Sequence, residues 1–281
     1  MRRTLLVTGA AGLLGGFLQR RPPEGWTLRL TDVTVPPAAG AGRGPGEAPG
    51  TERRELDVTD PAATAAACEG VDAILHLGGV SNNVAATRDL LIPVNVGGTR
   101  NLLDAAAGAG VRRVLLAGSN HAVGFHPRPP AGLLPDDVEC RPDSLYGVTK
   151  AAMEALGGFY ADRYGIEVVL LRIGSCFERP TSPRMLSTWL SPADFCRLVE
   201  ATLRAPVTGC RPVWGVSANT RRWWSAEGGD ALGYHPRDDA EVFAPALAGA
   251  DAAPDPRGET VGGSFPAAPA AGTPCTAEGP R

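Results

Sequence analysis

The sequence predicts an α/β fold in which a doubly wound parallel sheet is covered by helices on both faces. Short apolar runs alternate with helical segments, and each run is apolar throughout, as buried parallel strands require. The first run also ends in a glycine turn that opens a helix. A chain of 281 residues has room for one such domain and a small additional lobe.

Strands and helices are predicted to alternate from the N-terminus onward. The predicted strands are Thr4–Thr8, Leu28–Thr31, Leu56–Val58, Ala73–Leu77, Val114–Ala117, Glu167–Arg172 and Cys210–Val216. The predicted helices are Leu13–Gln19, Pro61–Glu69, Ala85–Ala109 with a break near Pro93, Tyr146–Tyr164 and Ser191–Leu203. Ser191 and Pro192 suit the start of the last helix, as its cap and its first-turn residue. Strands that return through helices give a parallel sheet.

The composition divides the chain into a core domain, a lobe and a tail. Residues 1–172 hold the alternating pattern, interrupted at 36–50 by a Pro- and Gly-rich stretch that we expect to be a flexible insertion. Residues 173–247 are shorter and mixed, which favours a small substrate-binding lobe interleaved with the core. Residues 248–281 are rich in Ala, Pro and Gly and are expected to be extended or disordered.

Charge and residue spacing exclude several classes of protein. A formal net charge of −3 gives no basic surface for nucleic acid, and no apolar run approaches the ~20 residues of a membrane helix. The chain enters its first strand at Thr4, which leaves no room for a signal peptide. The 6 cysteines lack C-x-x-C spacing and the 4 histidines lack metal-ligand spacing. We therefore expect a cytoplasmic protein with reduced thiols and no metal site.

A glycine motif with G-x-x-G-x-x-G spacing follows the first strand. In such motifs the first glycine permits the turn, the second lets a pyrophosphate approach, and the third allows close helix packing. The N–H groups that begin the helix then face the phosphates. The candidate contacts are Gly9, Ala11, Gly12, Leu13, Leu14 and Gly15. The position between a strand and a helix favours a Rossmann-like dinucleotide-binding domain over a simple Gly-rich turn.

Residues after the later strands extend the predicted dinucleotide site. Asp32 follows the second strand, where a carboxylate can accept hydrogen bonds from the adenosine ribose and would repel a 2′-phosphate. This favours NAD over NADP, although Asp32 could instead be a strand-end cap. The other candidate cofactor contacts are Asp57, Val58, Leu77, Gly78, Gly79 and Ile173, placed by position alone, together with Asn95, Tyr146 and Lys150.

Tyr146 and Lys150 form the candidate catalytic pair. Residues four apart on a helix share one face, and Lys150 is the only lysine in a chain whose other long basic residues are arginines. A tyrosine pKa of ~10 is too high for a base at neutral pH, and a nearby ammonium and a positive nicotinamide ring would lower it. Lys150 could also bind the nicotinamide ribose. The alternative is an exposed helix pair with no chemistry.

Polar residues after the fifth predicted strand and on the helix after the fourth are further candidates for the catalytic site. Ser119 could hydrogen-bond the substrate oxygen that Tyr146 deprotonates, and Asn120 and His121 would face the same cleft. Asn95 could hold a water that relays protons from Lys150. Two of these residues also have a plainer interpretation: His121 could be an ordinary loop histidine and Asn95 a polar residue that bends its helix.

Several longer stretches resemble the uronate dehydrogenases, within the extended short-chain dehydrogenase/reductase superfamily. The stretches are 119–121 (Ser-Asn-His), 141–150, 171–176, 184–191 and 213–219. The resemblance implies NAD-dependent oxidation of a cyclic hexuronate at C1 to an aldarolactone, with Tyr146 as base. It adds Ser81 and Ser175 as sugar contacts and Arg184 for the substrate carboxylate, which a guanidinium can bind bidentately. Leu13 and Gly118 depart from the family pattern.

The resemblance also implies assembly, and two other functions stay open. Extended members of the superfamily often pair through helices that correspond here to 85–109 and 146–164, so a homo-oligomer is expected. A nucleotide-sugar epimerase or dehydratase would use the same fold, but would need a larger lobe than 173–247 for its nucleotide. A non-catalytic NAD-sensing protein would not need Tyr146, Lys150 and Ser119 together.

Overall fold

Seven parallel strands form one sheet in the computed structural model, which describes residues 3–36, 50–80, 85–248 and 259–263. The strands are β1 (Arg3–Thr8), β2 (Trp26–Asp32), β3 (Glu52–Glu55), β4 (Ala73–His76), β5 (Arg113–Leu116), β6 (Glu167–Ile173) and β9 (Cys210–Gly215), in the order β3-β2-β1-β4-β5-β6-β9. β7 (Ser175–Cys176) and β8 (Trp189–Leu190) pair separately. The predicted doubly wound α/β fold is confirmed.

Helices cover both faces of the sheet. They are α1 (Leu13–Arg20), α2 (Pro61–Cys68), α3 (Thr99–Ala109), α4 (Leu145–Tyr164), α5 (Met185–Thr188), α6 (Pro192–Arg204), α7 (Glu227–Ala231) and α8 (Ala244–Leu247). One apolar cluster joins α1 and α6 to the sheet through Phe17, Phe195 and Leu198, and a second joins α3 and α4 to the other face through Leu102 and Met153. As predicted, the Ser191 hydroxyl caps α6 by accepting the Asp194 N–H.

The prediction of the third strand was wrong. The strand is Glu52–Glu55, and the predicted residues Leu56–Val58 follow it. β3 is an edge strand whose charged residues are mostly exposed, with Glu52 paired to Arg29 at 2.9 Å, so it lacks the apolar run of a central strand. Leu56 and Val58 are buried because they pack beneath the helices that follow, and their apolar character therefore marked the core and not the strand.

The predicted break near Pro93 is a change of helix type. A 3₁₀ turn (Ala85–Leu90) and a π-helical stretch (Leu91–Gly98) precede α3. Proline has no N–H for a regular helical bond, and π-helical stretches are frequent at functional sites. Here the stretch carries Asn95 to the carboxyl ends of β4 and β5, where Asn95 is fully buried.

The residues after β6 build a third apolar cluster beyond the carboxyl ends of the strands. Trp214, Trp223 and Trp224 pack there with Val123 and with Val261. Val261 belongs to the short described stretch 259–263 of the predicted tail. Residues 249–258 and 264–281 of that tail, and residues 37–49 of the predicted insertion, lie outside the described residues. Within the part that the structure describes, no helix is both long and apolar enough to cross a membrane.

Candidate active site

The glycine motif forms a tight loop between β1 and α1, at the carboxyl edge of the sheet. Gly9 has a φ of +67°, and a Cβ there would lie 2.6 Å from the Gly78 nitrogen, so the loop and the turn after β4 are in direct backbone contact. α1 begins at Leu13 after Gly12, which offers no side-chain cap to the first N–H groups. Uncapped N–H groups at a helix start suit a phosphate, and the loop therefore fits a dinucleotide pyrophosphate.

The predicted cofactor residues of β2, β3 and β4 lie along the same edge. The Asp32 carboxylate accepts the Ala11 N–H at 2.9 Å and the Val33 N–H at 2.8 Å, which ties the glycine loop to the end of β2. Asp57 accepts the Thr59 N–H and hydroxyl, at 2.8 and 2.7 Å, and Val58 is buried. Asp32 thus has the capping role weighed above, and its selection of NAD over NADP stays a prediction.

His76 ends β4 beneath the glycine loop and was not predicted. Its ring is fully buried between the hydroxyls of Thr8 (2.7 Å) and Thr99 (3.1 Å), and Thr8 also accepts the Gly78 N–H. Burial, assisted by the charge of Lys150, lowers the pKa of His76 to about 3. As a neutral ring, His76 therefore connects the end of β1, just before the glycine loop, to the start of α3.

This buried histidine predicts an acid-sensitive fold. The pKa of His76 is lower in the folded protein than in the unfolded chain, where it is ~6.5. The neutral imidazole therefore stabilises the fold fully above pH ~6.5, and this stabilisation is lost as the pH falls toward about 3. Below pH ~6.5 we expect the free energy of unfolding to fall by up to about 1.4 kcal/mol per pH unit from this group. Urea unfolding between pH 4.5 and 7.5 checks this: His76→Gln should flatten the slope, whereas His235→Gln, at an exposed position, should not.

Tyr146, Ser119 and Lys150 meet at the ends of β5 and α4. Lys150 is buried and donates to the Ala117 carbonyl at 2.7 Å, and its Nζ lies 5.7 Å from the centre of the Tyr146 ring. Burial lowers the pKa of Lys150 to about 8. Burial also raises the pKa of Tyr146 to about 12, against the effect of a hydrogen bond with Ser119. Without a cofactor, desolvation of the phenolate therefore prevails. The lowering of this pKa by the ammonium together with a nicotinamide ring stays a prediction.

Asn95 hydrogen-bonds two segments of the protein that flank this site. Its amide bonds both the N–H and the carbonyl of Val80, at 2.7 and 3.0 Å, and donates to the Thr149 hydroxyl at 3.0 Å. These bonds link the turn after β4 to α4, one residue before Lys150. Both amide N–H groups are thus used by protein, and a water relay could engage Asn95 only through its oxygen.

His121 and Asp143 form a second, unpredicted pair beside Tyr146. The His121 Nδ1 lies 2.9 Å from Asp143 Oδ2, and the imidazole meets the Tyr146 ring edge-on with 5.9 Å between centroids. The Asp143 carboxylate is fully buried and also accepts the Ser144 hydroxyl at 2.9 Å. Asp143 lies three residues before Tyr146, within the stretch 141–150 that resembles the uronate dehydrogenases. An aspartate just before a helix does not indicate from sequence that it will contact a histidine 22 residues away.

Asn120 and Arg184 come together at one backbone carbonyl. The Val261 oxygen accepts a hydrogen bond from Asn120 Nδ2 at 3.0 Å and another from Arg184 Nη2. Burial lowers the pKa of Arg184, and the charge of Asp143 opposes that shift. Ser175 is buried and shares a 2.8 Å hydrogen bond with Thr188, and Ile173 pairs with Ser119. Ser81 lies outside the described residues.

The two departures from the family pattern have different surroundings. Leu13 is half exposed at the start of α1, so it could be replaced by a polar residue without strain. A Cβ at Gly118 would lie 3.0 Å from the Leu171 carbonyl oxygen, so a serine there would require the neighbouring backbone to move by a few tenths of an ångström. The glycine therefore allows the close approach of β5 and β6 just before Ser119.

Comparisons with known proteins agree with this arrangement. Residues 5–221 match the model of the NAD dependent epimerase/dehydratase family. The uronate dehydrogenase of Agrobacterium fabrum is 41% identical over 267 residues, 94% of this chain and 96% of that protein. The uronate dehydrogenase of Pseudomonas putida is 42% identical over 266 residues, 93% of this chain and 94% of that protein.

The solved structures give the same result at the level of the fold. A mutant uronate dehydrogenase from Agrobacterium tumefaciens, complexed with NAD, superposes with a TM-score of 0.82 at 39% identity, covering 95% of this chain and 98% of that one. The resemblance expected from the sequence is confirmed. The chain belongs to the NAD dependent epimerase/dehydratase family.

Proposed function

We propose that the protein is an NAD-dependent uronate dehydrogenase that oxidises a cyclic hexuronate at C1 to the aldarolactone. The observation that supports this most strongly is the set of contacts beside Tyr146. Tyr146 meets His121 edge-on, His121 bonds the buried Asp143, and Gly262 packs against Asp143 directly after Val261, whose carbonyl accepts Arg184 Nη2. A candidate proton acceptor and a candidate carboxylate receptor are therefore linked through neighbouring residues, as oxidation of an acid sugar requires.

The roles of the residues follow from their surroundings. Gly9, Gly12 and Gly15 with the start of α1 would hold the pyrophosphate, and Asp32 would select a ribose without a 2′-phosphate. NAD, when bound, supplies the two-electron oxidant. Tyr146 accepts the proton of the anomeric hydroxyl, Ser119 hydrogen-bonds that oxygen, and Lys150 fixes the local field through its bond to Ala117. Asn120 and His121 contact the sugar hydroxyls, while Asn95 keeps the turn after β4 against α4.

A substrate panel followed by NADH absorbance tests the proposal. Galacturonate and glucuronate should give NADH, whereas the matching neutral aldoses and UDP-sugars should be turned over far more slowly. Turnover of UDP-sugars with no activity on free uronates would favour the nucleotide-sugar epimerase or dehydratase alternative. Tight NAD binding without turnover on any of these sugars would favour the non-catalytic NAD-binding alternative.

Replacing Arg184 should affect the acid sugar alone. Arg184→Met removes a charge-assisted contact to the substrate carboxylate, which is worth ~1.5–3 kcal/mol. We therefore expect the KM for uronate to rise roughly 10- to 100-fold, with the Kd for NAD unchanged. Steady-state kinetics and an NAD titration measure the two effects. Arg179→Met, at an exposed arginine nearby, is the control, and equal KM values in the two variants would contradict the role of Arg184.

Assembly and location stay predictions. Pairing through α3 and α4 would cover Phe159 and Tyr164, which are about half exposed on α4. Cytoplasmic location remains the expectation from the cysteine spacing.

A further inference from the structure

A short stretch near the C-terminus returns to the candidate active site. Residues 259–263 run beside the loop after Ser119: the Arg128 N–H donates to the Glu259 carbonyl, the Val261 N–H to that of His126, and the Gly262 N–H to that of Gly124, each at 2.9 Å. The Val261 side chain is fully buried in the tryptophan cluster. Packing and backbone bonds together thus fix this stretch, called here the C-terminal segment.

The carbonyl of Val261 positions two of the candidate substrate-binding side chains. It accepts Arg184 Nη2 on one side and Asn120 Nδ2, at 3.0 Å, on the other. A guanidinium has five N–H donors in a fixed planar fork, so one held nitrogen restricts the direction of the others. Among the described residues no acceptor is hydrogen-bonded to Nη1 or Nε of Arg184, and those donors remain for a ligand carboxylate.

The next residue, Gly262, packs directly against the Asp143 carboxylate. A Cβ built on Gly262 would overlap the Asp143 carboxylate, the group that orients His121. A Cβ built on Gly124, which faces Gly262, would also overlap that carboxylate, at its Oδ2. The segment can therefore lie flat over Asp143 only because both positions are glycines.

We propose that the C-terminal segment is a positioning element of the uronate site: the Val261 carbonyl holds Arg184 and Asn120 for the sugar acid, and Gly262 sets the Asp143–His121 pair. This inference rests on the proposed function. The segment does not touch the glycine loop or Lys150 in any hydrogen bond among the described residues, so its effect should be on the sugar and not on the dinucleotide.

Gly262→Ala in the full-length protein tests the proposal. The added methyl group should push the segment away from Asp143 and move the carbonyl from Arg184. Because displacement of a positioning group by ~1 Å can cost up to about 100-fold, we expect the KM for uronate to rise about 10- to 100-fold, with the Kd for NAD unchanged. Gly108→Ala and Gly158→Ala are matched controls, since both are helical glycines with open space around them.

A double-mutant cycle separates positioning from a general loss of structure. In an Arg184→Met background, Gly262→Ala should raise the KM for uronate clearly less than it does in the wild type. The hydrogen bond from Arg184 to the Val261 carbonyl, which Gly262→Ala would disturb, is already absent in that background. If Gly262→Ala does not fold, Val261→Ala, which loosens the segment by removing a buried side chain, should show the same selective rise in KM.

The possible outcomes are distinct. A wild-type protein that oxidises no uronate overturns the proposed function and this inference together. A wild-type protein that oxidises uronates, with a Gly262→Ala KM equal to that of the two glycine controls, overturns the inference alone. Additive effects in the cycle would also contradict a role through Arg184.

Discussion

Replacing Tyr146 with phenylalanine is expected to lower kcat for uronate oxidation by roughly 10²- to 10⁴-fold, the usual contribution of a positioned general base. The substitution removes one oxygen and keeps the ring that packs edge-on against His121. The Ser119 hydroxyl and the Lys150 ammonium would remain, but neither can accept a proton from the anomeric hydroxyl at that place. The Kd for NAD should change little, because the glycine loop is untouched.

The pH dependence gives a second measure of the same group. In the cofactor-free protein, burial raises the pKa of Tyr146 to about 12, so the phenol is protonated at neutral pH. A cationic ring bound beside it would lower that pKa, and kcat/KM should therefore rise with pH as the phenolate fraction grows. Tyr164→Phe, on the exposed end of the same helix, is the control. A Tyr146→Phe variant with kcat near that of Tyr164→Phe would disprove Tyr146 as the base.

Lys150→Met is expected to remove most of the activity and to change how stability depends on pH. The ammonium donates to the Ala117 carbonyl beside Tyr146, and the variant loses both that bond and the local positive charge. We expect kcat to fall by about 10²-fold or more. Lys150→Arg should not restore it, because a planar guanidinium cannot replace a compact ammonium in a fully enclosed site.

The stability effect follows from the buried ammonium. Burial lowers the pKa of Lys150 from 10.5 to about 8, so folding is penalised by the charge below pH 8. As the pH rises from about 8 to 10.5, the folded protein loses this proton before the unfolded chain does, and the wild type gains about 3 kcal/mol relative to its value at low pH. Lys150→Met should lack this gain. Denaturant unfolding of the two proteins at pH 7.5 and 10 measures the difference, and parallel pH profiles would contradict it.

Much of the cofactor edge could be predicted from the sequence because its signals are local. The glycine motif, Asp32 and the Tyr146–Lys150 spacing each lie within a few residues of a strand end or on one helix face, and backbone geometry then fixes their placement. The buried strands were equally clear, since central parallel strands are apolar on both faces. The edge strand β3 was missed for the opposite reason: its charged residues face solvent.

What the sequence by itself determined is the fold, the dinucleotide loop and the pairing of a tyrosine with the chain's only lysine. Only the tertiary structure decided how the residues proposed to bind the sugar are held. Asp143 meets His121 across 22 residues, and the Val261 carbonyl meets Arg184 across 77. A backbone carbonyl carries no residue-type signal, and contacts between distant segments arise from packing of the whole chain. The composition of residues 248–281 thus gave no indication that the C-terminal segment, 259–263, would be packed against the candidate active site.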